Sequence, residues 1–171
     1  QEATGQNWAK IRPEIFGTIL EQSMEAGERH DYGAHYTSED DIRRIVNPVI
    51  VRPWATRIAG ATTESELQDL HAALCGYQVL DPACGSGNFL YIAYRAMKTL
   101  EQQIIAKLRE RTGQAPALAQ TVSVKQFHGI DINPFAVELA KVTLMIAKKL
   151  AIDELHTDEA ALPLDDLDAN I

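Results

Sequence analysis

The chain has no apolar run approaching the ~20 residues that a helix needs to cross a bilayer, so it offers no candidate membrane span. Its first residues, QEATGQNWAK, lack the apolar centre of a secretory signal, and secretion has no support. It has only two cysteines, Cys75 and Cys84, with no CxxC spacing and no His cluster in sequence. Neither a disulfide framework nor a structural zinc is therefore expected, no metal is assigned, and a reducing cytoplasm is the expected compartment. Basic residues are too few for a nucleic-acid clamp: the formal net charge is −8, whereas phosphate binding leaves a basic patch. The deficit is uneven. Residues 1–76 hold 7 basic and 12 acidic side chains, residues 77–150 hold 9 and 5, and residues 151–171 hold 0 and 7. If DNA is a partner, most contacts to its backbone must come from elsewhere, and this stretch alone should bind DNA weakly or not at all.

What is present is an ordinary globular composition, 46% hydrophobic and 23% charged. With 171 residues a normal core is within reach, although nucleotide-cofactor folds usually need more to complete their sheet. Trp8, Ile11, Ile15, Ile19 and Leu20 recur at helical spacing, which predicts an amphipathic helix over 7–27. Thr37 or Ser38 stands as an N-cap before the acidic turn of a second helix through Ile42, Ile45 and Val46, disturbed near Pro48 and Pro53. Thr63 and Glu66 form a capping-box pattern for a third helix carrying Leu67, Leu70 and Leu74 and ending near Gly76.

From Tyr77 the period changes. YQVL reads as a short buried strand ending at the turn-rich DPACGSG, followed by a helix over roughly 87–110. A second strand starts at about Lys125 or Gln126, and a helix with Pro134 in its first turn continues to Leu150. Past Ile152 the acidic DELHTDEAALPLDDLDANI reads as a loop running up to a third strand. Strand, helix, strand, helix implies an α/β fold with parallel strands and crossover helices. The expected division is a helical segment over 1–76 and the first part of a cofactor-binding domain over 77–171.

The strongest chemical signal is DPACGSGNF, comprising Asp81, Pro82, Ala83, Cys84, Gly85, Ser86, Gly87, Asn88 and Phe89. A glycine-rich turn after a parallel strand lets a ligand approach the backbone where a Cβ would block it. A lone GxG could equally be a sharp turn with no ligand. The dinucleotide fingerprint GxGxxG is not met, because Leu90 stands three residues after Gly87. Cys84 has no evident base partner, so small size is the simpler reason for its presence. His35, His71, His128 and His156 are scattered without metal-ligand spacing.

The nine-residue string resembles motif I of the DNA amino-methyltransferases, which methylate exocyclic amines of adenine or cytosine. GAHYTSEDDI over 33–42 resembles motif X of their gamma class, in which it precedes motif I, and GIDINPFA over 129–136 resembles motif II. The lead-in WAKIRPEIFGTILEQSM is similar to segments of large type II restriction-modification fusions and phage-defence methylases. The resemblance implies a partial Rossmann-like class I methyltransferase fold, S-adenosylmethionine as cofactor and DNA adenine as substrate. It assigns Thr37, with Tyr36 beside it, to the cofactor's carboxylate, Asp131 to its ribose hydroxyls, and Ile132 and Asn133 to its adenosine.

Taken without the resemblance, Thr37 is also a helix cap and Asp131 a solvent-facing strand-end carboxylate. The family's catalytic Asn-Pro-Pro-aromatic tetrad does not occur; Asn47-Pro48 and Asn133-Pro134 lack the second Pro. Residues 1–171 alone are therefore expected to be inactive in methyl transfer. Asp165, Asp166 and Asp168 read as an acidic surface loop rather than as an adenine contact. Two rival readings are a non-catalytic cofactor-binding or interaction module and a methyltransferase of another substrate class. A partial sheet would expose a strand edge, so self-association is expected.

Overall fold

The computed structural model describes residues 37–114, 116, 118–155 and 165–171. The expected helix over 7–27 and Tyr36 lie outside the described residues.

Helix α1 (Glu39–Val46) begins where the Ser38 hydroxyl accepts the Asp41 backbone N–H at 3.2 Å, with Glu39, Asp40 and Asp41 in the positive first turn. The cap is Ser38, not Thr37, so the Thr37 hydroxyl is not spent on capping. The disturbance expected from the two prolines is a widened turn over Asn47–Val51, where the Arg52 N–H reaches back five residues to the Asn47 carbonyl. Helix α2 (Arg52–Gly60) follows without a break. Ile42, Val46, Ile50, Trp54 and Ile58 are buried along this whole run. Helix α3 (Glu64–Cys75) carries the capping box read from sequence: the Thr63 hydroxyl accepts the Glu66 N–H and the Glu66 carboxylate accepts the Thr63 N–H at 2.9 Å.

Strand β1 (Val79–Asp81), helix α4 (Asn88–Thr112), strand β2 (Phe127–Gly129) and helix α5 (Pro134–Leu155) follow. The strands are parallel, with Val79 opposite Phe127, Leu80 opposite His128 and Asp81 opposite Gly129. This is a mixed helical structure on a small parallel sheet of the α/β class, with α4 as the crossover, packed on both strands and on α5. One hydrophobic core runs from Ile42 to Leu167. Tyr94 and Phe127 meet edge to face inside it, as do Trp54 and Tyr77 where α2 faces the chain entering β1.

The strands are shorter than the sequence suggests, and side chains explain why. The Gln126 amide donates to the carbonyls of Leu74 and Tyr77, so the chain before Val79 is held by a side chain instead of a strand partner. Val124–Gln126 coils into a 3-10 turn capped by Ser123, which delays β2 to Phe127. Helix α5 runs to Leu155, past the point where a loop was expected. Its last turns hold the pairs Lys149 with Asp153 and Glu154 with Arg95 of α4.

The final segment lies along the second edge of β2, where the Gly129 N–H donates to the Asn170 carbonyl at 2.9 Å and the Asn170 amide donates to the Lys125 carbonyl at 2.9 Å. Asp165 and Asp168 pair with Lys148 and Lys141 of α5 at 2.7 and 2.6 Å, tying this acidic segment to the helix. Leu80 and Ile130 remain 59% and 57% exposed on the opposite face of the sheet.

Candidate functional site

Both strands end at the same edge of the sheet, and the loops that leave them meet there. After β1, the Asp81 carboxylate accepts the Ala83 N–H at 3.1 Å, which folds Asp81–Ala83 into a side-chain-closed turn. The two loops then continue the ladder past the strands: the Ile130 N–H donates to the Asp81 carbonyl at 2.9 Å and the Cys84 N–H to the Ile130 carbonyl at 3.0 Å. Gly85 and Gly87 have φ of +52° and +82°, a region that residues with a Cβ enter at a cost. Their surroundings differ. A Cβ on Gly85 would meet open space, while one on Gly87 would lie 2.9 Å from the Ala140 backbone. Gly87 is thus required where α4 crosses α5, and Gly85 where the chain faces outward.

Cys84 turns inward beneath β2. A Cβ at Gly129 would sit 2.8 Å from the Cys84 sulfur, so the pair is fitted as a small residue against none. Burial pushes the Cys84 thiol up to about 12, with the charges of Asp81 and Asp131 adding to the effect. It is an inert packing group, and the sequence reading of Cys84 as a small filler agrees with this geometry.

Asp131 joins the two loops. One carboxylate oxygen accepts the Gly85 N–H at 2.9 Å and the other accepts the Asn133 N–H at 2.9 Å. Each oxygen has two lone pairs, so one acceptor site per oxygen remains. Asn133 in turn caps α5 by accepting the Phe135 N–H at 2.9 Å, which leaves Ile132 76% exposed at the loop tip and Phe135 45% exposed beside it. Burial raises the Asp81 carboxyl above the usual carboxylate range; the Ala83 N–H opposes this and the Asp131 charge reinforces it.

The turn delivers the chain into the first turn of α4, where the N–H groups of Asn88 and Phe89 have no helical acceptor and the positive end of the helix faces outward. The side-chain amide oxygen of Asn88 (Oδ1) is buried with no hydrogen-bond partner among the described residues. Burial pushes the Tyr91 hydroxyl up; Arg95, which donates to it at 3.1 Å, opposes this, and the charges of Glu154 and Glu39 add to it. Helix α1 packs against α4. No hydrogen bond among the described residues ties Thr37 to the turn.

The structure thus brings Asp81 through Phe89 together with Asp131, Ile132 and Asn133 at one edge. It leaves Thr37 exposed on the neighbouring helix start, and Tyr36 lies outside the described residues. Sequence reasoning missed a second polar cluster at the far end of the sheet, made of His71, Lys98 and Glu101. Its signal was there to read: HAALC puts His71 and Cys75 on one face of α3, and Lys98 and Glu101 occupy positions that the helical period of α4 assigns to its buried side.

Comparisons with known proteins agree with this frame. The chain is 35% identical over 153 residues to DNA methyltransferase A of Bacillus subtilis (strain 168), covering 89% of this chain and 17% of that protein. It is 26% identical to a putative type II restriction enzyme and methyltransferase of Methanocaldococcus jannaschii, covering 93% of this chain and 16% of that one. Among solved structures, the type IIL restriction-modification enzyme MmeI in complex with DNA superposes with a TM-score of 0.81 at 33% identity, covering 92% of this chain and 22% of that chain. The chain therefore spans about a sixth to a fifth of the length of these relatives. No described helix is long and apolar enough to cross a membrane. Residues 58–171 match the model of the MmeI DNA-methyltransferase domain, and the chain belongs to that family.

Proposed function

We propose that this chain holds S-adenosylmethionine for a DNA adenine-N6 methyltransferase of a restriction-modification system, residues 1–76 forming a helical lead-in and 77–171 the first part of the cofactor domain. The observation that carries this reading is the 2.9 Å hydrogen bond from the Gly85 N–H to Asp131. It makes one continuous surface of the glycine turn and the second-strand loop, at the edge where open parallel sheets take nucleotides.

The residues suit such a ligand. Gly85 has open space where its Cβ would be, so a ligand can lie against its backbone. Asp131 keeps an acceptor site on each oxygen for vicinal ribose hydroxyls. Ile132, exposed at its tip, and Asn133 border the base. The Asn88 Oδ1, which has no partner among the described residues, suits an ammonium donor. The free N–H groups of Asn88 and Phe89, together with the Thr37 hydroxyl and its neighbour Tyr36, suit a carboxylate. Pro82, Ala83, Cys84, Ser86 and Gly87 set the path of the turn. When bound, the cofactor supplies an electrophilic methyl group on sulfur. This chain contributes alignment and electrostatics, with no covalent enzyme intermediate. The target amine reaches such a site only after the base leaves the duplex stack.

Because the 171 residues hold no Asn-Pro-Pro-aromatic tetrad, we infer that they transfer no methyl group by themselves. The exposed Leu80 and the outer edge of β1 support self-association of the isolated chain. Sedimentation should then show species larger than a monomer, and a single monomer boundary would count against it.

Calorimetric titration of S-adenosylmethionine into the chain and into Asp131→Ala tests the reading. Weak binding lost in the variant supports it, tight binding lost in the variant points to a self-sufficient binding module, and binding indifferent to Asp131 overturns the site. Methyl transfer to DNA by the full-length protein, with adenine identified as the methylated base in the digest, tests the reaction.

A further inference from the structure

At the end of the sheet opposite the glycine turn, α3 and α4 enclose three side chains whose donor atoms are those of transition-metal sites. His71 and Cys75 lie four residues apart on α3, and Glu101 reaches them from α4. The imidazole Nε2 lies 3.3 Å from the Glu101 Oε1, and the Cys75 sulfur lies 3.8 Å from the same nitrogen. All three donor atoms fall within 4.8 Å of one another. For tetrahedral zinc, with bonds of about 2.0–2.1 Å to nitrogen and oxygen and about 2.3 Å to sulfur, the N···O and N···S edges are about 3.3 and 3.6 Å. The observed separations match the first edge and exceed the second by a small margin.

We propose that His71, Cys75 and Glu101 form a binding site for one zinc-class divalent metal ion. Three protein ligands leave a fourth position for water. His71 and Glu101 are buried while Cys75 is half-buried, so the thiol side provides the entry path. Two features set its affinity. The sulfur is nearly equidistant from the two ring nitrogens, at 3.9 and 3.8 Å, so it sits off the lone-pair axis and the imidazole must turn about its Cβ–Cγ bond to direct Nε2 at the ion.

The second feature is Lys98, whose ammonium lies 2.7 Å from the other Glu101 oxygen. Metal entry releases the thiol proton to solvent and moves the imidazole proton from Nε2, where it faces Glu101, to Nδ1, so that sulfur and Nε2 are both free to bind the ion. The Glu101 carboxylate then bridges the ion and Lys98, and the site gains one net positive charge. Lys98 therefore holds the affinity down without occupying any of the three donor atoms.

Cobalt(II) titration of the reduced chain is the test, read by thiolate-to-cobalt absorption in the near ultraviolet. The expected result is a band that saturates at one equivalent, disappears on adding zinc and is absent in Cys75→Ser. His71→Gln should weaken cobalt binding at least about tenfold. Lys98→Met, which removes the competing cation while keeping the apolar stem, should tighten it, and this second variant decides the matter if His71→Gln does not fold. Absence of the band in the unaltered chain, its persistence in Cys75→Ser, or weaker binding in Lys98→Met would each overturn the assignment.

Discussion

The two strands are cross-linked by polar side chains at both ends, and the two ends are built in opposite ways. At the carboxyl end Asp131 spans the loops through single hydrogen bonds and keeps acceptor capacity in reserve, near an exposed Ile132 and an Asn88 side-chain oxygen with no partner among the described residues. At the amino end Glu101 is 1% exposed and engaged on every side: the Val122 N–H at 2.8 Å, His71 at 3.3 Å and Lys98 at 2.7 Å. Gln126 adds two bonds to the carbonyls of Leu74 and Tyr77. Burial alone would raise the Glu101 carboxyl, but His71, Lys98 and the Val122 N–H outweigh it and hold the group below the usual carboxylate range. A buried polar group must be saturated to be tolerated. A partly exposed one can keep spare acceptor capacity for a ligand, as Asp131 does, whereas a metal ion at the amino end must displace a bond already made, the contact of His71 with Glu101.

The comparison breaks most readily at Glu101. Glu101→Ala removes the carboxylate paired with Lys98 and takes the acceptor from the buried Val122 N–H, and should lower stability by about 3–5 kcal/mol in chemical denaturation, with the smallest loss in acid. The sign follows from the lowered carboxyl: its contribution is present above the unfolded carboxylate range and is lost as pH falls through the folded value. Gly87→Ala combines a positive φ with a clash against the Ala140 backbone, and should cost about 2–4 kcal/mol by thermal unfolding.

Asp131→Ala should cost the fold about 1–2 kcal/mol, less than Glu101→Ala because its two bonds are only part-buried, while weakening S-adenosylmethionine binding by about tenfold or more in calorimetry. Equal damage to stability and binding would erase the distinction between the two ends. Ser38→Ala, at a cap belonging to neither end, should cost about 1 kcal/mol. Asp81→Asn should give the smallest change and with opposite sign. The Asp81 carboxyl is raised, so its folded form is favoured below that raised value and loses ground as pH climbs through it. The amide should therefore raise the melting temperature slightly at neutral pH.

Local chemistry was legible wherever neighbours in sequence decide it. The capping box at Thr63 and Glu66, the stop at Gly76, the turn at Gly85 and Gly87 and the Pro134 helix start all stand where reading the residues puts them. Strand ends were less so, because Gln126 terminates the chain before β1 across about fifty residues of sequence, and no local pattern shows that. The meeting of Asp131 with Gly85 is implied by two parallel strands ending together. The cluster of His71, Lys98 and Glu101 required knowing which faces of α3 and α4 meet, a tertiary fact that helical spacing only hints at.

The widened turn over Asn47–Val51 has a consequence for the run from α1 into α2. Its buried residues Ile42, Val46, Ile50, Trp54 and Ile58 recur every fourth position, and in a regular α-helix each such step drifts by about 40°, enough over the run to carry the last of them away from the first. The π turn rewinds part of that drift, acting as a phase corrector that keeps one seam aligned. Deleting Val49 would restore a uniform helical pitch and swing the indole of Trp54 out of register by about 100°.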